Sequence, residues 1–331
     1  MHHLPVPAAG PAHLQDNAAI GGGPEALRLA LSAAETFARG SKSAATARAY
    51  ASDWADFSAW CAKVEVEPLE AGPAIVAAYL AALAGRGIKP GTIKRRVSAI
   101  RDAYRTRGLT PPTAHDLVKA AHTGIRRSIG TRVDQKAPAT AKAIGSMLKR
   151  IPADTLAGRR DRALLLLGFA GALRRSELVG LDVEHLARQS AGVMVTIARS
   201  KTDQEGAGQT VAIPNGTKLR PVEALFAWLA AAEIRSGPIF RRIRKGDRLT
   251  ADRLTDHAVA LIVKRWAAAA KLDPATFAGH SLRAGFVTSA LEAGADVFAA
   301  ADQGRWRKLE TVREYDRRAK AFTNHAGKGF L

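Results

Sequence analysis

Four short stretches of the sequence hold side chains that bind charge or could react. The first is Gly171-Ala172-Leu173-Arg174-Arg175-Ser176-Glu177-Leu178, which follows the apolar run from Leu164 to Phe169. An arginine after a buried helix with a glutamate three positions on is, by itself, an ordinary helix-end salt bridge. The second is Lys201, at the tip of a hairpin, where an exposed turn lysine is commonplace. The third is His280-Ser281-Leu282-Arg283, preceded by Phe277-Ala278-Gly279. Side chains three apart at a helix start point the same way, so His280 and Arg283 can clamp one anion together with the helix N-terminus. A plain capping histidine explains the same residues equally well. The fourth is Trp306, followed nine residues later by Tyr315 on a charged helix. A tyrosine there is normally a partly packed surface residue.

These groups need elements to hold them. Residues 1–24 are rich in Ala, Gly and Pro, end in Gly21-Gly22-Gly23-Pro24 and are expected to form a disordered tail. Residues 25–128 read as a helical domain. From about Ser41 or Ser43, the residues Tyr50, Trp54, Phe57, Cys61 and Val64 recur at spacings of four and three, the pattern of one helix face turned to a core. A second helix is expected over 73–85. A third starts at Pro90 with Ile93, Val97, Ile100 and Tyr104 on its apolar side. Its other faces carry Lys94, Arg95, Arg96, Arg101 and Arg105, and the basic pattern recurs at Arg126, Arg127 and Arg132. Such a surface is either a solvated face or a contact for a nucleic-acid backbone; the scarcity of acids beside it favours contact, with Lys94, Arg95, Arg96, Arg101, Arg126 and Arg127 as its members.

Residues 129–139 break periodicity and end in Pro138-Ala139, which marks a basic linker. Residues 140–331 form the second expected domain. It is mainly helical, with helices near 220–234, 250–270, 281–293 and 296–301. Strand-like runs at 193–198 and 210–213 flank the polar loop that holds Lys201. The expected class is therefore mainly α with a small antiparallel sheet in the C-terminal domain.

Composition narrows the partner. The chain has 331 residues, 47% of them apolar, and a net charge of +20. Packed domains of ordinary size follow from the first two values. The charge favours a polyanion, because each phosphate neutralised releases counterions. A membrane surface is the competing partner, but no stretch nears the roughly 18 apolar residues of a spanning helix. Met1-His2-His3-Leu4-Pro5 lacks the basic and apolar regions of a signal peptide. The single cysteine, Cys61, forms no internal disulfide, in keeping with a reducing cytosol. A cytoplasmic protein bound to nucleic acid is expected, nucleoid-associated if the source is bacterial.

The order and spacing of the four stretches resemble the boxes of the tyrosine recombinases, the phage-integrase family. Leu173-Arg174-x-x-Glu177-Leu178 is similar to that family's first arginine box, and Lys201 sits where its β-hairpin lysine falls. His280-x-Leu282-Arg283 resembles its His-x-Leu-Arg box. Trp306 and Tyr315 stand at the spacing of its histidine-or-tryptophan position and its nucleophile. The likeness spans roughly 140–320, and the helical segment before it resembles, less specifically, the family's core-binding domain. There are two departures. Ala172 stands where many members have glycine, and Gly304-Arg305-Trp306 replaces the usual Leu-Gly-His.

The resemblance implies a catalytic set of Arg174, Lys201, His280, Arg283, Trp306 and Tyr315, with Glu177 orienting the arginines. It implies attack of Tyr315 on a DNA phosphodiester, a 3′-phosphotyrosyl link, and neither metal nor other cofactor. Double-stranded DNA is the implied partner, engaged by a tetramer, and an accessory DNA-bending protein is left open. The tail from Ala319 to Leu331 carries Phe322, Phe330 and Leu331, which would dock on a neighbouring subunit or simply fray. The alternatives are a type IB topoisomerase-like enzyme that relaxes DNA and a non-catalytic DNA-binding protein.

Overall fold

The computed structural model describes residues 23–131, 136–198 and 208–319. Lys201, Arg132, most of the expected N-terminal tail and nearly all of the C-terminal tail lie outside these residues. The chain divides into two compact units, Met1–Val133 and Asp134–Leu331.

The first unit is helical. Its elements are α1 (Pro24–Gly40), α2 (Ala44–Lys63), α3 (Pro73–Gly85), α4 (Pro90–Arg105) and α5 (Asp116–Ile129). The Ser43 hydroxyl accepts the Thr46 N–H at 3.2 Å and so starts α2. Pro73 and Pro90 open α3 and α4, where a missing N–H costs nothing. Phe57 and Cys61 are fully buried against Tyr79, Leu80, Ile93 and Ile100. Each such large apolar side chain contributes roughly 1.5–3 kcal/mol by leaving water. Val64, expected on the same face, is instead 43% exposed, because α2 stops at Lys63 and the backbone turns away there. Leu27, Leu29, Leu31 and Phe37 of α1 are exposed.

In the second unit the chain runs α6 (Ala141–Leu148), α7 (Leu156–Ala170), α8 (Arg175–Gly180), β1 (Leu186–Gln189), β2 (Gly192–Ile197), β3 (Gln209–Pro214) and α9 (Pro221–Ala231). It continues through β4 (Arg241–Arg244), β5 (Arg248–Arg253), α10 (Asp256–Ala269), α11 (Ser281–Glu292), α12 (Val297–Gly304) and α13 (Leu309–Ala319). Helix α7 is the hub: Ala163, Leu164, Leu165, Leu166 and Leu167 are all buried, so it is enclosed on every side. Strands β1, β2 and β3 form an antiparallel sheet in that order, with Val195 opposite both Leu186 and Val211.

The class is as expected, mainly helical with small antiparallel sheets, but two details differ. Strand β1 has three exposed residues and no apolar alternation, so it carries no strand signal. The helix expected over 250–270 begins only at Asp256, where Thr255 caps it. The preceding residues 248–253 form β5, paired with β4 through Ile243 and Leu249.

A smaller apolar cluster of Val287, Leu291, Ala300, Ala301 and Val312 packs α11, α12 and α13 together. The start of α11 lies directly on the backbone of the incoming chain. A Cβ on Gly285 would fall 1.9 Å from the Ala139 carbonyl oxygen, so only glycine permits this approach.

Candidate active site

Helix α7 ends in a tight reversal. The Leu173 N–H returns to the Gly168 carbonyl at 3.0 Å and the Ala172 N–H to Phe169 at 2.9 Å. This pairing needs a left-handed residue between them, and Ala172 takes that place at φ 44°. That conformation explains why glycine suits the position; alanine adopts it at some strain. The reversal leaves the Ala172 carbonyl free to accept from elsewhere and puts Arg174 at the N-cap of α8. The Arg174 backbone N–H donates to Glu177 Oε2 at 2.9 Å, and its guanidinium donates to Glu177 Oε1.

Arg283 comes from the first turn of α11. It is 1% exposed, donates from Nη1 to the Ala172 carbonyl at 2.7 Å, and lies 3.9 Å above the Trp306 ring. His280 precedes α11 as its N-cap residue and is exposed. Trp306 can stack this way because Gly304 has no side chain: a Cβ there would lie 1.7 Å from the indole. Tyr315 follows on α13, two helical steps of three beyond Leu309 and one beyond the buried Val312. Its ring meets Trp306 edge-on at 6.4 Å between centroids. The structure thus brings Arg174, Glu177, Arg283, Trp306 and Tyr315 into one cluster, with His280 at the head of the helix that supplies Arg283. Lys201 lies outside the described residues.

Sequence reasoning overlooked one member. Arg305 was visible only as part of the altered Gly-Arg-Trp triplet, yet its guanidinium donates to Glu177 Oε2 at 2.7 Å with its side chain 8% exposed. Arg174 and Arg305 therefore share a single carboxylate, and Arg283 lies close enough to feel its charge. Burial alone would raise the Glu177 carboxyl, but the Arg174 N–H, the Arg174 guanidinium and Arg305 outweigh it and hold it below the usual range. The stability this adds is present above the ordinary glutamate range and lost as pH falls through the lowered folded value. Arg283 moves down to about 9, through burial first and then repulsion from Arg174 and Arg305. Burial likewise lowers Arg305. A desolvated cluster with more guanidinium than carboxylate is unbalanced, and an anion such as a phosphate would complete it.

The basic residues of the first unit separate into two groups. Lys94, Arg101, Arg126 and Arg127 are exposed, as is Arg95, although Arg95 donates to the buried Asp53 at 2.7 Å. Arg96 is enclosed, donating to Asp56 and, at 2.9 Å, to the Tyr79 hydroxyl. Its charge is already spent on the fold. A second basic surface also escaped the sequence reading. The β4–β5 hairpin exposes Arg242, Arg244, Lys245 and Arg248, and Asp247 at its turn accepts the Leu156 and Ala157 N–H groups, fixing the hairpin to the start of α7. Alternation of Ile243 and Leu249 with basic residues was its only sequence signal.

Two family models match the chain. The phage integrase family covers residues 140–321, and the phage integrase N-terminal SAM-like domain covers residues 35–107. An integrase/recombinase xerD homolog from Selenomonas ruminantium is 39% identical over 304 residues, 90% of this chain and 89% of that protein. Tyrosine recombinase XerC from Pseudomonas putida is 30% identical over 239 residues, 71% of this chain and 72% of that one. In fold, the chain is similar to the Tn1549 transposon integrase in complex with transposon right end DNA. The TM-score is 0.59 at 15% identity, over 87% of this chain and 96% of that one. A lambda integrase dimer bound to a COC′ core site gives a TM-score of 0.57 at 16% identity, covering 85% and 92%. With a family model across more than half of its length and a relative 39% identical over nearly all of it, the chain belongs to the phage integrase family and is a tyrosine recombinase.

Proposed function

We propose that this recombinase cuts and rejoins double-stranded DNA at defined sites through a covalent bond to Tyr315. The Tyr315 oxygen attacks the scissile phosphorus in line. An O–P bond to the tyrosine forms as the P–O5′ bond breaks, leaving a 3′-phosphotyrosyl link and a free 5′-hydroxyl. Arg174 and Arg283 hold the non-bridging oxygens, since a guanidinium presents a fixed fork of donors and keeps its charge. Lys201 delivers the proton to the departing 5′-oxygen, and His280 assists proton transfer by taking the proton that the Tyr315 hydroxyl loses. The Trp306 indole donates a hydrogen bond but cannot carry a proton. Glu177 orients the arginines. Attack by the 5′-hydroxyl of a second duplex runs the same exchange backwards and joins new partners, conserving the phosphoester bond.

The observation that carries this reading is the contact between a buried, unbalanced cation and the aromatic pair: Arg283 lies 3.9 Å over Trp306, whose ring touches Tyr315. Strand exchange between two duplexes requires four such sites, and we assign them to a tetramer of this chain working on DNA in the cytoplasm. The relaxing-enzyme alternative finds no support, since the relatives described above are integrases and recombinases.

Covalent adducts trapped with SDS on genomic fragments, followed by sequencing of the attached ends, test site specificity. A recurrent sequence joined through its 3′ ends is expected, and random ends would overturn it. The exposed basic residues are tested by salt. Replacing Arg126 and Arg127 with glutamine should weaken DNA binding and make the plot of log affinity against log salt shallower by about two. An unchanged slope would remove them from the interface.

A further inference from the structure

Two helix ends in the second unit are built alike. At the end of α12, the Trp306 N–H returns to the Ala301 carbonyl at 3.0 Å and the Arg305 N–H to Asp302 at 2.9 Å. This is the same reversal that ends α7, and Arg305 occupies its left-handed position at φ 54°. Glycine fills such a position without steric cost, whereas any residue with a Cβ is strained there. Strained backbone of this kind persists where surrounding contacts over-determine it.

The contacts of Arg305 supply that determination. Its Nη1 donates to the Gly171 carbonyl at 3.2 Å and to Gln303 at 3.1 Å. Its Nη2 donates to the Ala172 carbonyl at 3.4 Å and to Glu177 Oε2 at 2.7 Å. One guanidinium therefore ties the end of α12 to the reversal that presents Arg174. It joins the Arg174 N–H on Glu177 Oε2, leaving Oε1 to the Arg174 guanidinium, and it shares the Ala172 carbonyl with Arg283. The next residue is Trp306, the platform beneath Arg283.

We infer that Arg305 is a positioning residue for DNA cleavage: it locks Glu177 in the orientation that aims Arg174 and fastens the Trp306–Tyr315 segment to the two phosphate-binding arginines. This rests on the tyrosine mechanism proposed above. Arg305 touches no reacting atom, and its effect passes through Glu177, Ala172 and Trp306. Misplacing a catalytic group by about 1 Å can cost about 100-fold in rate, so loss of this tether is expected to slow cleavage by about 10-fold to 100-fold.

Glycine suits the backbone at φ 54°, so Arg305→Gly keeps the helix end while deleting the guanidinium. The single-turnover cleavage rate constant at saturating protein, on a nicked DNA substrate that traps the adduct, does not depend on the folded fraction. We expect it to fall about 10-fold to 100-fold in Arg305→Gly, with the DNA dissociation constant unchanged. Arg305→Lys keeps the charge without the four-way fork and should recover only part of the rate. Because Arg305 and Glu177 act as one unit, Arg305→Gly combined with Glu177→Gln should be no slower than the slower single variant. An Arg305→Gly protein that cleaves at the unmodified rate refutes the assignment alone, as do losses that multiply in the double variant. Loss of DNA binding in both Arg305 variants would make the residue a requirement of the fold and refute positioning. An unmodified protein that forms no adduct refutes the tyrosine mechanism and this assignment with it.

Discussion

Tyr315→Phe binds DNA as tightly as the unmodified protein and forms no SDS-resistant adduct: that is the first expected result. Phenylalanine retains the ring that packs on Trp306 and on the α11–α13 cluster, so only the hydroxyl is removed. No other group is assigned to attack phosphorus, and loss of a nucleophile costs far more than loss of a stabilising donor. Cleavage should fall at least about 10⁴-fold. A gel-shift titration read beside an SDS gel separates the two effects. Adduct at near-normal yield would show that another side chain attacks, while loss of binding would show that the ring position matters to the complex itself.

The second expected result concerns Arg283 and combines slower chemistry with undiminished stability. The folded state holds this guanidinium at 1% exposure beside two other arginines, and its pKa is pushed down to about 9. For a cation a lowered folded pKa means that folding disfavours the charged form. The charge costs stability below about pH 9, and the cost lifts as pH rises above that value. Replacing a buried charge with an apolar side chain of similar length is often neutral or stabilising. Arg283→Met should therefore melt at the same temperature or higher. Its cleavage rate should fall about 10²–10³-fold, the usual cost of losing one preorganised donor to a developing oxyanion. Arg283→Lys should fare little better, since an ammonium lacks the planar fork that bonds the Ala172 carbonyl, lies flat on Trp306 and still has donors for a phosphate. A variant that lost stability while keeping its rate would reassign Arg283 to the core.

The degree to which these features could be read in advance depended on where their causes lie in the chain. Helices α3 and α4 announce themselves, because proline marks each start and the apolar residues behind it recur at helical spacing. The order of Arg174, His280, Arg283, Trp306 and Tyr315 was legible because residue type and spacing survive whatever the fold does between them. The partners of those residues were not. Arg305 reads as one more surface charge until the left-handed turn at φ 54° is known to send its side chain inward. Arg96 shares a helix with exposed basic residues, yet Asp56 and Tyr79, well before it in sequence, enclose it. Most of the β4–β5 hairpin carries no expected element, and only its last four residues fall in an expected helix, because four exposed basic residues obscure Ile243 and Leu249. In each case a long-range contact decides what a local pattern leaves open.

In the proposed reaction Tyr315 carries the cleaved DNA strand. A nicked duplex containing the recombination site would trap the covalent complex; protease digestion and mass spectrometry would then identify the peptide joined to the nucleotide. The expected product is a peptide spanning Tyr315, joined to the 3′-phosphate of the cleaved strand, with the 5′ end free. A link to any other residue, or to a 5′-phosphate, would contradict it.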